Sequence, residues 1–282
     1  MALCSSNKWR RLMPADYPAL EHFLKLHEPF CVSACSQYLH KEAGDSCWIL
    51  ADDSGALSAV FIHSNALLFP ILSERAADSL KPFLQWFADN SKIYALHGSH
   101  AHVLCVEAAL SDLGFTVTES INYDLLELPH LPSLGAPPDG IVLREPVMQD
   151  GEELFQLHAG YQKEEVLISR SVFNPAACRL TIEQIVKNEW VLVAELDSRL
   201  VGKVHTNALS FSRAQIGGVY VMPHYRRQGI GRYMVASFAQ HLRKAGMIPT
   251  LFVKKYNSKA RSVYNRIGFS AIGSYRISYC AD

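Results

Sequence analysis

The 282-residue sequence has no excess of charge of either sign: Lys and Arg total 27, and Asp and Glu total 27. A general binder of nucleic acid or other polyanions carries a basic excess, so that class is excluded. No stretch reaches the roughly 18 apolar residues of a membrane span. The opening MALCSSNKWRRLMP also lacks the apolar segment of a secretory signal. No CxxC pair occurs among the seven cysteines (Cys4, Cys31, Cys35, Cys47, Cys105, Cys178, Cys280), so neither a zinc module nor a disulfide framework is indicated. Cys31 and Cys35, four residues apart, read as buried free thiols, because cysteine packs as a small hydrophobe. The expectation is a cytoplasmic protein without a membrane or nucleic-acid partner.

About half of the residues are apolar, enough for real cores. One stretch, LPHLPSLGAPPDG at residues 128 to 140, is rich in Pro and Gly and has no periodicity. Its prolines cannot continue a helix or a central strand, so it reads as a semi-rigid linker. The chain is accordingly divided into 1–128, a linker at 129–139, and 140–282.

The halves resemble each other. WILADDSGALSAVFIHSNAL begins at Trp48 and WVLVAELDSRLVGKVHTNAL at Trp190, each two apolar runs broken by an Asp-Ser turn, the pattern of a β-hairpin. Fifteen residues separate Trp48 from His63 and Trp190 from His205. LSDLGF (110 to 115) then matches YNRIGF (264 to 269) in the same order, which points to a duplicated domain with a shorter first copy.

The second copy carries a chemical motif. AQIGGVYVM is a β-rich run ended by Pro223, which cannot donate to a ladder. Met234, Val235, Phe238, Ala239 and Leu242 then recur at helical spacing up to a stop at Gly246. Between them lies PHYRRQGIG, a strand-to-helix turn with glycines at 229 and 231. The first N–H groups of a helix point out of its N-terminus unpaired, and the peptide dipoles add positive charge there. Glycine clears side chains from that site and the arginines add full charges, a combination suited to a diphosphate. A Walker-type loop is excluded because no GK[ST] follows, and the Rossmann spacing GxGxxG is absent.

Arg226-Arg227-Gln228-Gly229-Ile230-Gly231 resembles the [Q/R]-x-x-G-x-G/A signature of the GCN5-related N-acetyltransferase (GNAT) superfamily, and it follows a strand as that family requires. Asn257, Ala260, Tyr264, Gly268 and Phe269 match the family's N-x-x-A-x-x-x-Y-x-x-x-G-F segment. The resemblance covers residues 140 to 282. It implies an α/β fold with two GNAT-like domains, each a central mixed sheet flanked by helices, the first a degenerate copy. It also implies an acetyltransferase that moves an acetyl group from acetyl-CoA to a primary amine, on a small molecule or a protein, by direct attack in a ternary complex. The alternative is a non-catalytic acyl-CoA sensor.

By the same resemblance, Val219, Tyr220 and Val221 offer backbone groups to the pantetheine arm and the thioester. Arg226, Arg227, Gln228, Gly229, Ile230, Gly231 and Arg232 hold the diphosphate. Asn257 contacts the pantetheine arm or the neighbouring helix, Arg261 reaches the nucleotide phosphates, and Tyr264 is the general acid for the leaving thiolate. The carboxylate base of many members is missing, since Gln215, Gly217 and Val219 alternate on the relevant strand. His205, Glu195 or water could replace it. Glu164 and Glu165 are candidates to face a cationic acceptor, or else a solvated helix face. In the first half no glycine turn follows Pro70, and Val103 and Leu110 stand where Asn257 and Tyr264 would be. His97, His100 and His102 of HGSHAH have no accompanying carboxylate or cysteine pattern, so no metal is expected.

Overall fold

The computed structural model describes residues 9–40, 46–52, 55–73, 77–169 and 171–281. Cys4 and the expected turn residues Asp53 and Ser54 lie outside the described residues. The chain divides into two compact units, Met1–Leu125 with Ile272–Asp282, and Leu126–Ala271.

The first unit runs β1 (Trp9–Arg11), α1 (Tyr17–His40), β2 (Cys47–Ala51), β3 (Leu57–Ser64), β4 (Leu67–Leu72), α2 (Ala77–Asn90), β5 (Ala95–Ser99), α3 (His100–Ser111) and β6 (Val117–Glu127), whose last residues belong to the second unit. Strands β1 to β4 form an antiparallel meander, and β5 joins β4 in parallel after the α2 crossover. The second unit repeats the plan: β7 (Val142–Arg144), α4 (Gly151–Tyr161), α5 (Pro175–Asn188), β8 (Val191–Leu196), β9 (Arg199–Leu209), β10 (Arg213–Val221), α6 (Ile230–Lys244), β11 (Ile248–Lys254) and α7 (Ser258–Ile267). Strands β7 to β10 are an antiparallel meander and β11 joins β10 in parallel after α6. Each unit is thus a mixed sheet flanked by helices, as expected.

The last strand, β12 (Ser270–Cys280), departs from the sequence division, which keeps residues 272–282 with the second half. It pairs antiparallel with β5, from Tyr275↔Ser99 to Tyr279↔Ala95. Tyr275 is fully buried there. The Arg276 guanidinium donates to both Glu107 carboxylate oxygens (2.9 and 3.1 Å) and to Asn122 Oδ1 (2.9 Å). An alternating sequence declares which face of a strand is buried but not which strand it will pair with.

The paired hairpins are alike in sequence and different in register. In the second unit Asp197 and Ser198 form a two-residue turn, both left-handed (φ 49° and 61°), which matches the twist of the strands it joins. In the first unit the connection is longer, closing from Ala51 to Leu57, with Asp52 Oδ1 accepting from the Ala56 N–H at 3.1 Å. The β3–β4 pair is shorter than β9–β10, at 8 and 6 residues against 11 and 9.

The first core is aromatic. Trp9 stacks on Phe83 (centroids 4.3 Å apart) and Trp48 meets Phe87 edge-on at 5.0 Å. Val103 and Leu110, the counterparts of Asn257 and Tyr264, are buried in it. Cys31 and Cys35 are both buried, as expected, with Sγ atoms 3.5 Å apart where α1 kinks after Pro29. In the second core, α6 contributes Ile230, Met234, Val235, Phe238, Ala239 and Leu242, all buried. Each large apolar side chain there stabilises the unit by about 1.5–3 kcal/mol.

Removing the ring that anchors β12 tests the strand's assignment. Tyr275→Ala should cost about 3–5 kcal/mol in denaturant unfolding of the first unit, the range for truncating a large buried aromatic. Stability within error of wild type would show that β12 is dispensable to that unit.

Candidate active site

The ladder between β10 and β11 runs only from Arg213↔Ile248 to Ile216↔Leu251, although β10 continues to Val221 and β11 to Lys254. Beyond Ile216 the two strands part. On its other edge β10 stays with β9, but one extra residue intervenes between Gly217↔His205 and Tyr220↔Lys203. This is a β-bulge, whose extra residue stays out of the ladder. Gly218 adopts φ 58° within it, and a Cβ there would lie 1.9 Å from His205 Nε2. Only glycine satisfies both the backbone and the contact. Val219, Tyr220 and Val221 therefore follow a bulge, on a strand stretch that β11 does not pair.

From the end of β10 the chain passes through a tight turn at Pro223–Tyr225 into α6. Arg227 (φ 66°) and Gly229 (φ 83°) are both left-handed, which curls the backbone into a concavity that suits an anion. Gly229 caps the helix, and the first helical bond is Tyr233 N–H to Gly229 O (3.0 Å). The N–H groups of Ile230, Gly231 and Arg232 lie ahead of it at the helix start. A Cβ on Gly229 would find nothing nearer than Pro138 Cγ at 3.9 Å, so the approach is open. Arg226 is engaged differently from the other turn residues. Its Nε donates to Val221 O (2.8 Å) and its Nη2 to both Glu164 oxygens (3.0 and 2.8 Å). Gln228 Nε2 reaches His224 O at 3.4 Å.

On α7, Asn257 is the N-cap, its Oδ1 accepting from the Ala260 N–H at 3.1 Å. Such a cap is worth about 1 kcal/mol, so a helix-start role accounts for this asparagine's side-chain oxygen. Arg261 is exposed on the first turn. Tyr264 is half-buried against the second core, its ring edge-on to Phe269 at 6.1 Å. Burial raises its pKa above the usual phenol value, with Tyr161 and Glu165 adding to the shift, so the hydroxyl keeps its proton.

The α4 side of the sheet holds residues that the sequence did not single out. Lys203 is fully buried on β9, its Nζ donating to Gly218 O at 3.0 Å and lying 4.8 Å from the Tyr161 ring centroid. Burial lowers its pKa from 10.5 to about 7. His158 and Tyr161 from α4 and His205 from β9 surround the same place, with ring centroids 6.0 to 6.5 Å apart. The N–H of Gly218 stabilises the Tyr161 oxygen, although burial still raises that phenol's pKa. His205 shares Nδ1 with Thr206 O (2.9 Å), and its buried Nε2 has no hydrogen-bond partner among the described residues. Burial, then Lys203, holds its pKa well below the ordinary value, so it is neutral and a weak proton acceptor. Glu195 is tied to Arg144 Nε at 2.6 Å, in a network with Asp150, and so serves the β7–β8 pair. The sequence signal for Lys203 was its place in the strand run RLVGKVHTNAL, otherwise buried from Leu200 to Thr206.

A π-helical turn, Gln162–Val166, continues α4 and carries the two acidic candidates. Glu164 accepts from Tyr220 Oη (2.9 Å) as well as Arg226, and Glu165 pairs with Lys254 of β11 at 3.2 Å. The pair thus ties the turn to both parted strands, a more specific task than lining a solvated face. Single-turn π insertions recur at functional sites.

Parted parallel strands beside a glycine-turned helix N-terminus define the class, an acyltransferase domain. Residues 158–269 match the model of the acetyltransferase (GNAT) family. No curated protein matches the chain. Among solved structures, a Drosophila protein is 12% identical with a TM-score of 0.72, over 97% of this chain and 98% of that one. A GCN5-related N-acetyltransferase from Sphaerobacter thermophilus is 15% identical with a TM-score of 0.65, over 98% and 96%. A tandem GNAT protein from the clavulanic acid biosynthesis pathway is 11% identical with a TM-score of 0.57, over 97% of each chain. The likeness runs through both units, so the first also has a GNAT-like fold. Among the described residues no helix is long and apolar enough to cross a membrane, and no three His, Cys, Asp or Glu side chains converge as a metal site. His97 and His102 instead are half-buried, and desolvation holds both below the usual histidine pKa, His97 at about 4.

Two stability measurements test this geometry. Gly218→Ala should destabilise by more than about 1 kcal/mol, because the left-handed backbone alone costs that much before the clash with His205. An unaffected melting temperature would show that the bulge relaxes freely. For Lys203, the folded pKa lies below the unfolded one, so the unfolded chain binds more protons between them and stability rises with pH. The rise should start near pH 7, the folded value, and be read below pH 9, where unfolded thiols such as Cys178 begin to ionise. Lys203→Met should flatten it, and an equal slope in that variant would contradict a lysine buried at this cost.

Proposed function

We propose that the second unit transfers an acetyl group from acetyl-CoA to a primary amine, on a small molecule or a protein, with both substrates bound at once. The observation that carries this reading is the β10–β11 ladder ending beside the Gly229-capped start of α6. The residues present fit the donor: an open left-handed turn with unpaired N–H groups for a diphosphate, and a strand stretch without a β11 partner for an extended arm. Acetyl-CoA brings an acyl group activated as a thioester, so that a C–N bond forms as the C–S bond breaks.

The chain's own residues then bind and move protons. The N–H groups of residues 227 to 232 hold the diphosphate, with Arg227 and Arg232 adding charge and Arg261 turned to the nucleotide phosphates. Arg226 belongs to the same turn, although Glu164 must share it. Backbone groups of Val219, Tyr220 and Val221 hold the arm and the acyl oxygen, while Asn257 fixes the start of the helix that carries Tyr264. Tyr264 gives its proton to the leaving sulfur and regains one from the attacking nitrogen, which balances the step for an amine that arrives neutral. Neither Glu195, held by Arg144, nor the weakly basic His205 is required as a base. The first unit has no such role in this reading. Its β4–β5 ladder also ends early, after Leu68↔Leu96, but there the Leu72 N–H points at His102 Nδ1 (3.5 Å), and Pro70 needs no N–H. We place the enzyme in the cytoplasm.

The deciding assay follows free thiol on incubation with acetyl-CoA and a broad panel of primary amines. Thiol release with an acetylated amine by mass is the expected result; cofactor binding without release from any amine would favour an acyl-CoA sensor. Gly229→Asp should weaken acetyl-CoA binding tens-fold, since each charge-assisted bond lost costs roughly 1.5–3 kcal/mol. Unchanged affinity in the folded variant would remove the diphosphate from this turn. Tyr264→Phe should lower turnover by about 10²- to 10⁴-fold with cofactor affinity kept. A wild-type rate would reduce the residue to packing.

A further inference from the structure

We propose that Lys203 is a positioning residue for acyl transfer, polarising the Gly218–Val219 peptide so that the Val219 N–H becomes a stronger donor to the acyl oxygen. The inference rests on the reading of the β10 bulge as the acyl site. Three observations carry it. Lys203 is completely buried in a strand that otherwise needs an apolar residue there, which is costly for an amine. Its Nζ is spent on one backbone carbonyl, Gly218 O at 3.0 Å, which belongs to the bulge. The peptide that follows Gly218 is trans, because no cis bond occurs among the described residues. In a trans peptide the C=O and N–H point in opposite directions, so the Val219 N–H points away from Lys203.

A cation at the carbonyl end of a peptide draws electron density toward its oxygen and strengthens the N–H at the other end, as hydrogen bonds in a chain polarise one another. The gain is greatest when negative charge develops on the bound acyl oxygen, which is how a fixed donor lowers a barrier. A merely structural lysine would hold the bulge equally well with or without its charge. The groups around Lys203 leave it as the one that changes charge near neutrality. His158 on α4 and His205 on β9 are held neutral, and the pKa values of Tyr161 on α4, Cys178 on α5 and Tyr220 on β10 are raised. The Lys203 ammonium itself titrates at about 7. Val193, its partner on β8, has no titratable group.

The test reads the acyl carbonyl directly. Carbon-13-labelled acetyl-CoA is bound without acceptor to the full-length protein, and its carbonyl stretch is recorded by infrared difference spectroscopy. In the wild type the stretch should lie below its value in free acetyl-CoA and move up as pH rises through 7. In Lys203→Met, which keeps the side chain's length and relieves the burial cost, it should lie closer to the free value and not move with pH. Turnover in that variant should fall about 10- to 100-fold, less than the roughly 10²–10³ for deleting such a donor outright, with KM for acetyl-CoA little changed. A variant that binds acetyl-CoA with the wild-type stretch and turnover overturns the role of Lys203 and leaves the acyl site standing. A wild-type stretch insensitive to pH overturns it without recourse to any variant. Failure of the wild-type protein to bind acetyl-CoA overturns the functional reading and this inference with it.

Discussion

A parallel ladder that stops after Ile216↔Leu251 is the constraint on which the chemistry of the second unit depends. Backbone N–H and C=O groups are obligatory hydrogen-bonding groups, so a strand that leaves its neighbour must find other partners for them. The bulge at Gly217 and Gly218 is how β10 leaves β11 while staying with β9. Both units make the same departure, and they resolve it differently. In the first, Pro70 has no N–H to satisfy and His102 meets the Leu72 N–H. In the second, the Gly229-capped helix start lies just beyond the open stretch, so the unmet groups of strand and helix fall close together in the chain. One plan thus yields a filled gap and an open one.

Charge is arranged locally within a chain that is neutral overall. The acidic pair on the π-turn is matched by Arg226 and Lys254, so its role is to tie that turn to the two parted strands. The Arg226 link also joins the π-turn to the glycine turn, because the same guanidinium that begins the glycine turn holds Glu164 and the Val221 carbonyl. Beneath them the buried His158 and His205 and the half-buried Tyr161 are uncharged at neutral pH, which leaves Lys203 as the charge closest to the bulge. A surface pair at comparable distances contributes little, being screened by water. A buried ammonium is screened far less from the one carbonyl it touches.

The sequence determined much of this by itself. Pro223, the glycines at 229 and 231, and the helical spacing of Met234, Val235, Phe238, Ala239 and Leu242 specified a strand, a turn and a helix in that order, since each rests on local backbone preference or on a short period. The motif at Asn257 and Tyr264 was equally legible, because a helix places residues at fixed spacing on one face. The repeated hairpins declared two related halves. What only the tertiary structure decided was pairing and burial. It gave β12 to β5, because residue alternation marks a strand's faces and not its neighbour. It ended the β10–β11 ladder at Ile216, a divergence that no local preference encodes. It also placed Lys203 in the interior against Gly218 O, where a lysine in the sequence reads as one more solvated charge. Contacts between residues far apart in the chain set all three, and those form only when the elements close on one another.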